Sequence, residues 1–207
     1  MKNWNKIIFL NLAVLLLGLL PFLPGPEFFF FTFYLYSIIQ IIALFGLVLV
    51  PIGLVLIGIQ IFGKTKNKPK VSGAILTMTI PLTLFISVFW LSNYSREFSR
   101  HYAINQSEEL IKAIEEYKLK NHEYPNTLEE LTPNYIENIP DDGITGIKGF
   151  HYTKDTTSYK IEFYQNLIVG FNYEIVQYSP NLQHKSEGEL STLYDTKHPN
   201  WKYYVYD

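Results

Sequence analysis

Five histidines, His101, His122, His151, His184 and His198, are the first residues in this 207-residue chain whose side chains could hold a metal or carry a proton. Their spacing argues against a metal site. There is no His-x-x-x-His pair, no acidic residue at ligand spacing, and no cysteine in the whole sequence. Asp141, Asp142 and Gly143 bring two carboxylates to a turn where Ca²⁺ could sit, but the ladder of oxygen ligands that defines an EF-hand loop does not follow. Ser, His and Asp all occur, yet no Gly-x-Ser-x-Gly elbow arranges a nucleophile beside a base. The residues therefore predict no catalytic, cofactor-binding or metal-ligating site, and a protein that is not an enzyme. Fourteen of the sixteen tyrosines lie after residue 92. They read as half-buried sheet residues or as a contact platform for sugar or peptide, since a rigid ring with a polar tip gives contact area at low entropic cost. If there is a platform, Tyr204 and Tyr206, opposite Trp201, are its candidates.

The elements that would position these residues fall into two halves with different solvents. Up to residue 91 the chain carries six Lys against Glu27 alone, net +5; beyond it eleven Lys/Arg face eighteen Asp/Glu, net −7. The acidic half argues against nucleic acid, whose phosphates it would repel. A helix needs about 20 apolar residues to cross a bilayer, and three stretches qualify: 7–23, 34–62 and 71–91. The second is overlong. Its opening, FFFFTFYLY, reads as an aromatic segment at the membrane interface, Pro51 and Gly53 could kink the remainder, and division into two helices is the alternative. Residues 1–91 are thus read as a bundle of about three transmembrane helices whose first partner is the lipid bilayer.

Short loops rich in Lys stay on the cytoplasmic side. The PGPE loop after the first span has no Lys, whereas KTKNKPK before the third has four. That distribution predicts a multi-pass cell-membrane protein with its N-terminus inside and residues 92–207 outside the cytoplasm. A cleaved signal peptide is the competing reading of 7–23, but no small-x-small cleavage site follows LLPFLPGP. An exported domain without cysteine suits the bacterial inner membrane. The spans contain no ionisable residue of the kind that marks a transport path. Asn11, Gln40 and Gln60 are expected to bond across helices, and Gly46, Gly53 and Gly58 to permit close packing. A bundle larger than an anchor requires leaves room for a membrane or envelope protein partner.

Beyond residue 91 neither Pro nor Gly interrupts 92–121, so either one long helix or two nearly collinear pieces joins the halves. Leu110, Ile111, Ile114 and Tyr117 share one face at helical spacing, and Asn105 with Glu108 forms a candidate N-cap pair. Asn121 can adopt the left-handed conformation that ends a helix, and Thr127 with Glu130 forms a capping box for a short helix at 128–131. The period then changes to two. GFHYTKDTTSYKIEFY predicts a hairpin with its turn at 154–157 and Tyr159, Ile161 and Phe163 on one face; a strand within LIVGFNYEIVQYSP and a last one in WKYYVYD bring the total to about four. Residues 92–207 are thus expected to form an α+β domain with the helix packed on a small antiparallel sheet.

The run IKAIEEYKLKNHEYPNTLEELTPNYIENIPDDGITGIKGFHYTKDTTSYKIEF resembles the soluble region of type II secretion major pseudopilins and related type IV pilin-like proteins over about 55 residues. Tyr117, Asn121, Tyr124, Pro125, Leu128, Leu131, Pro140, Asp142 and Tyr152 fit that pattern. The resemblance implies a pilin-like fold for the domain, and YDTKHPNW, with Asp195 six residues before Trp201, faintly resembles the calcium loop of some pseudopilins. The chain departs from the family at the third span, where VSGAILTMTIPL carries neither a prepilin-peptidase site nor an acidic residue, and His122 stands in place of the usual Gly. Those departures argue against polymerisation into a pilus. The expected function is a non-enzymatic integral membrane protein displaying a pilin-like interaction domain, part of an envelope assembly. The alternative is a membrane-anchored ligand-binding or sensory module for sugar, peptide or calcium.

Overall fold

The computed structural model of the chain describes residues 2–64, 70–168, 172–188 and 192–207. Lys66 and Lys68 of the predicted cytoplasmic loop, and Val169, Gly170 and Phe171 of the predicted third strand, lie outside these. The residues group into two units, Met1–Leu20 with Tyr34–Ser95 and Pro21–Phe33 with Arg96–Asp207. Sequence placed one border, at 91/92. The structure also gives the second unit a short early segment.

The first unit is helical, built from α1 (Lys2–Leu19), most of α2 (Phe29–Gly46), α3 (Leu49–Phe62), α4 (Val71–Ile86), a π turn at Ser87–Leu91 and the start of α5 (Ser92–Gln106). Among the described residues, three helical stretches are long and apolar enough to cross a membrane: Trp4–Phe22, Phe29–Gly46 and the apolar part of Val71–Asn121. The FFFFTFYLY segment is helix from Phe29 onward. The expected 34–62 span is broken just after Gly46. Leu47, Val48 and Val50 donate to Leu44, Phe45 and Leu47, three residues back rather than four, while Pro51 has no N–H to take the Leu47 carbonyl. At about 1.5 Å per residue, the 14-residue α3 covers roughly 21 Å, short of a full crossing.

Polar and small residues hold these helices together. Asn11 on α1 donates from Nδ2 to Thr79 Oγ1 (3.1 Å) and accepts from Thr83 Oγ1 (2.7 Å), both on α4. Tyr36 on α2 donates to the Val88 carbonyl in the π turn. A Cβ on Gly53 would sit 2.8 Å from Met78 Cβ, so α3 approaches α4 only because that side chain is missing. Gly58 meets nothing within 4 Å, whereas Gly18, not singled out in the sequence, lies so close to Ser87 that a Cβ there would clash outright.

The second unit packs α5 and α6 (Glu108–Asn121) on a five-stranded antiparallel sheet of β1 (His151–Lys154), β2 (Tyr159–Ile168), β3 (Asn172–Tyr178), β4 (Tyr194–Asp195) and β5 (Trp201–Tyr206), ordered β1-β2-β3-β5-β4. The sequence reading had about four strands, and the two-residue β4 is too short for a period to show. The third strand, expected within LIVGFNYEIVQYSP, runs from Asn172 to Tyr178, and Leu167 and Ile168 at the start of that stretch end β2. The hairpin turn falls one residue later than predicted, at 155–158, closed by Asp155 N donating to Ser158 O. Tyr159, Ile161 and Phe163 meet Leu110, Ile114, Val176 and Trp201 in one core, as the alternation requires.

The helix ends differ in detail from the sequence reading. Asn105 remains inside α5, and the helical residues continue past Ser107, whose N–H and hydroxyl both turn back onto the preceding helix. The left-handed residue is His122 (φ 61°), not Asn121, whose amide instead donates to Tyr117 O and Tyr135 Oη. Thr127 makes no cap bond, and the 128–131 turn is a 3₁₀ helix. Glu130 reaches one residue further back than a capping box would, accepting from Asn126 N at 3.1 Å and from Tyr117 Oη at 2.9 Å.

Candidate functional site

The sheet of the second unit is covered on both faces, and a cavity opens on the face away from α5 and α6. Registers explain its lining. Tyr164 pairs with Ile175 and Ile175 with Tyr204, while Tyr173 pairs with Tyr206, so these five side chains point to the same face. Phe29, from the segment Pro21–Phe33, lies over this face, and Phe33 stacks on Tyr173 at 6.3 Å. That segment is tied to the unit by main-chain bonds at 3.0 Å: Gly25 N to Gly143 O, Phe28 N to Thr145 O, and Thr145 N to Leu23 O. The cavity measures about 420 Å³ and is lined by Phe29, Lys148, His151, Tyr164, Tyr173, Ile175, Glu187 and Tyr206.

Its electrostatics are mixed. Burial pushes the Tyr164 phenol above its ordinary range, and the carboxylates of Glu162 and Glu187 push the same way. Tyr204, beneath the cavity, is pushed up to about 12 by burial and then by the same two carboxylates. Burial also raises Glu162, against the pull of Lys160 and a bond from Gln177 Nε2 at 2.8 Å. The His151 ring meets Tyr164 edge-on at 5.1 Å, and Lys148 Nζ sits 5.3 Å from the Phe30 centroid.

Of the two platform candidates, Tyr206 lines this cavity at 40% exposure, whereas Tyr204 is 1% exposed and cannot meet a partner. It is buried because the far face is covered, which period-two alternation cannot report. Sequence reasoning missed Phe29, Lys148, Tyr164, Tyr173 and Glu187. The usable signal was NYEIVQY, where apolar and aromatic residues occupy both parities of one strand, as in a sheet buried on both sides.

The residues weighed in the sequence as possible ligands have structural partners. Asp142 is fully buried and accepts from Ile144 N (2.8 Å) and Gly149 N (2.9 Å); burial pushes its carboxyl up to about 6. Asp195 accepts from Lys197 N and lies 3.5 Å from Lys202 Nζ. Two of the five histidines meet, His101 Nδ1 and His198 Nε2 at 2.7 Å, with burial and then His101 lowering His198. Among the described residues no group of three or more His, Cys, Asp or Glu could hold a metal ion.

A buried ionic network on the helix-facing side was also invisible in the sequence. Arg100 on α5 binds Glu174 on β3 with both nitrogens of a fork, Nε to Oε1 at 2.7 Å and Nη2 to Oε2 at 2.8 Å. The guanidinium lies 3.7 Å from the Tyr203 ring centroid. Gln165 donates to the same carboxylate at 3.0 Å, and Ser99 donates to Gln165. Burial opposes the Arg100 charge, but the Glu174 bonds outweigh it and its pKa rises. No family model, curated protein or solved structure matches this chain.

Proposed function

We propose that this is a non-enzymatic integral membrane protein that displays its α+β unit outside the cytoplasm as an interaction domain, as part of an envelope assembly. The observation that carries the reading is the main-chain union of Pro21–Phe28 with the 143–145 loop. The connection between the first two apolar helices and the C-terminal chain contribute to one folded unit, so both lie on one side of any membrane that the helices cross. The Lys-free PGPE loop makes that side the outer one. A helix packed on an antiparallel sheet is also compatible with the pilin-like resemblance, and the apolar bundle, whose charged residues lie only at helix starts and in connecting loops, suits association rather than transport.

The test is the composition of the particle purified from its native membrane in a mild detergent. The reading predicts a species that survives a carbonate wash and contains a second envelope protein in fixed ratio. A monodisperse particle holding this 24.1 kDa chain alone contradicts it.

A second reading, ligand capture, is favoured by the aromatic cavity on the far sheet face. A ligand that binds only the folded state raises its melting temperature. A thermal-shift screen across sugars, peptides, calcium and small zwitterions checks this reading, and a flat response throughout opposes it.

A further inference from the structure

The cavity on the far sheet face has walls suited to one kind of charge. Tyr164, Tyr173, Tyr206 and Phe29 line it with aromatic rings, whose quadrupoles attract a cation, and Glu187 adds a carboxylate; Phe33 stacks on Tyr173 and His151 stands edge-on to Tyr164. Glu162, two residues before Tyr164 on β2, shares this face, and its carboxylate accepts from Gln177 Nε2 at 2.8 Å. An anion alone would meet those carboxylates, and a neutral sugar could donate hydroxyls to Glu187 but would bring no opposite charge to Glu187 or Lys148. One cation, Lys148, lies at the Phe29–Phe30 side, its ammonium over the Phe30 ring. The lining therefore has an acidic, aromatic part and a basic edge. Phe29 begins a helix that is long and apolar enough to cross a membrane.

We infer that the cavity binds an organic ammonium group carried on a phosphate ester, the zwitterion of ethanolamine- and choline-phosphate headgroups. The ammonium sits among Tyr164, Tyr173 and Tyr206 with Glu187 as its counter-ion, and the phosphate meets Lys148. No bond is made or broken. The inference rests on the ligand-capture reading and names the ligand class for it. The same chemistry can arrive as a free solute or as the headgroup of a bilayer lipid.

The full chain in a maltoside detergent is titrated calorimetrically with phosphocholine, phosphoethanolamine, choline and glycerol 3-phosphate. Both zwitterions are expected to bind, choline more weakly and glycerol 3-phosphate not measurably. Glu187→Gln and Tyr206→Ala should each weaken phosphocholine at least tenfold, and Lys148→Ala should abolish its advantage over choline. All three side chains are solvent-exposed, and unchanged thermal unfolding of each variant shows that the fold survives. Repeating the titration in nanodiscs separates the sources. Loss of phosphocholine binding in phosphatidylcholine discs, with binding kept in phosphatidylglycerol discs, marks the lipid; equal binding in both marks a free solute. Binding of glycerol 3-phosphate or sugars but not of the amines overturns the ammonium assignment and leaves ligand capture standing, whereas binding of nothing in this series or the thermal-shift screen overturns both. Phosphocholine binding unaffected by Glu187→Gln and Tyr206→Ala also overturns the assignment, because the ligand would then sit elsewhere.

Discussion

At the scale of single residues, several positions that looked chemical are occupied by structure. Asp142 is the clearest. Its carboxyl is raised from 3.8 to about 6, so the folded state holds this proton more tightly than the unfolded chain does. Stability from Asp142 is therefore greatest below pH 3.8 and falls as pH rises to about 6, by roughly 3 kcal/mol at 1.36 kcal/mol per unit. Glu129 and Glu130, held below their usual range by hydrogen bonds, push the slope the other way, so the readout is a difference between proteins. Wild type minus Asp142→Asn unfolding free energy, followed across that window, should decline with pH; a difference that is flat or rises would contradict the buried-carboxyl account. His122 teaches a related lesson. The sequence signalled a helix end at KNHEYP correctly to within one residue, but it could not decide between Asn121 and His122 for the left-handed position. Both residue types tolerate that geometry, and in the folded chain the Asn121 amide is held by a local bond to Tyr117 O and by one to Tyr135 Oη beyond the helix, while His122 takes the left-handed position.

Among elements, what was legible is what period reports. The amphipathic face of α6, the β1–β2 hairpin and the strand at 201–206 all follow from repeated apolar spacing. The break after Gly46 was not legible, because every residue from 28 to 62 is uncharged and hydrophobicity alone gives no boundary. Nor was the meeting of α5 with β3, since Arg100 and Glu174 are 74 residues apart and each looks like an ordinary surface charge. That pair yields an element-scale prediction. Glu174→Gln takes the carboxylate from two buried cations, Arg100 in the fork and Arg96 at 3.8 Å, and should cost about 3–5 kcal/mol, whereas the double variant Arg100→Met, Glu174→Leu should recover the Arg100 share of the loss while Arg96 still lacks that carboxylate. Chemical denaturation of the three proteins checks this; a double variant as unstable as the single would show that the fork itself, and not charge compensation, holds α5 to the sheet.

For the whole molecule, the division into an apolar helical half and a polar α+β half was written in the charge distribution, +5 before residue 92 and −7 after it. The recruitment of Pro21–Phe33 into the second unit was not, because a loop of Pro, Gly and Phe carries no period and its partners lie some 120 residues away. That recruitment is the central claim, since in the proposed topology it ties the first inter-helix connection and the C-terminal chain to one side of the membrane. The absence of native cysteine makes the direct test clean. Single variants Glu27→Cys, Glu123→Cys and Lys64→Cys, all at exposed positions, are treated in intact cells with a membrane-impermeant maleimide. The account predicts labelling of the cysteines at 27 and 123 before permeabilisation and of the one at 64 only after it. Opposite behaviour of 27 and 123, or labelling of 64 in intact cells, would contradict it.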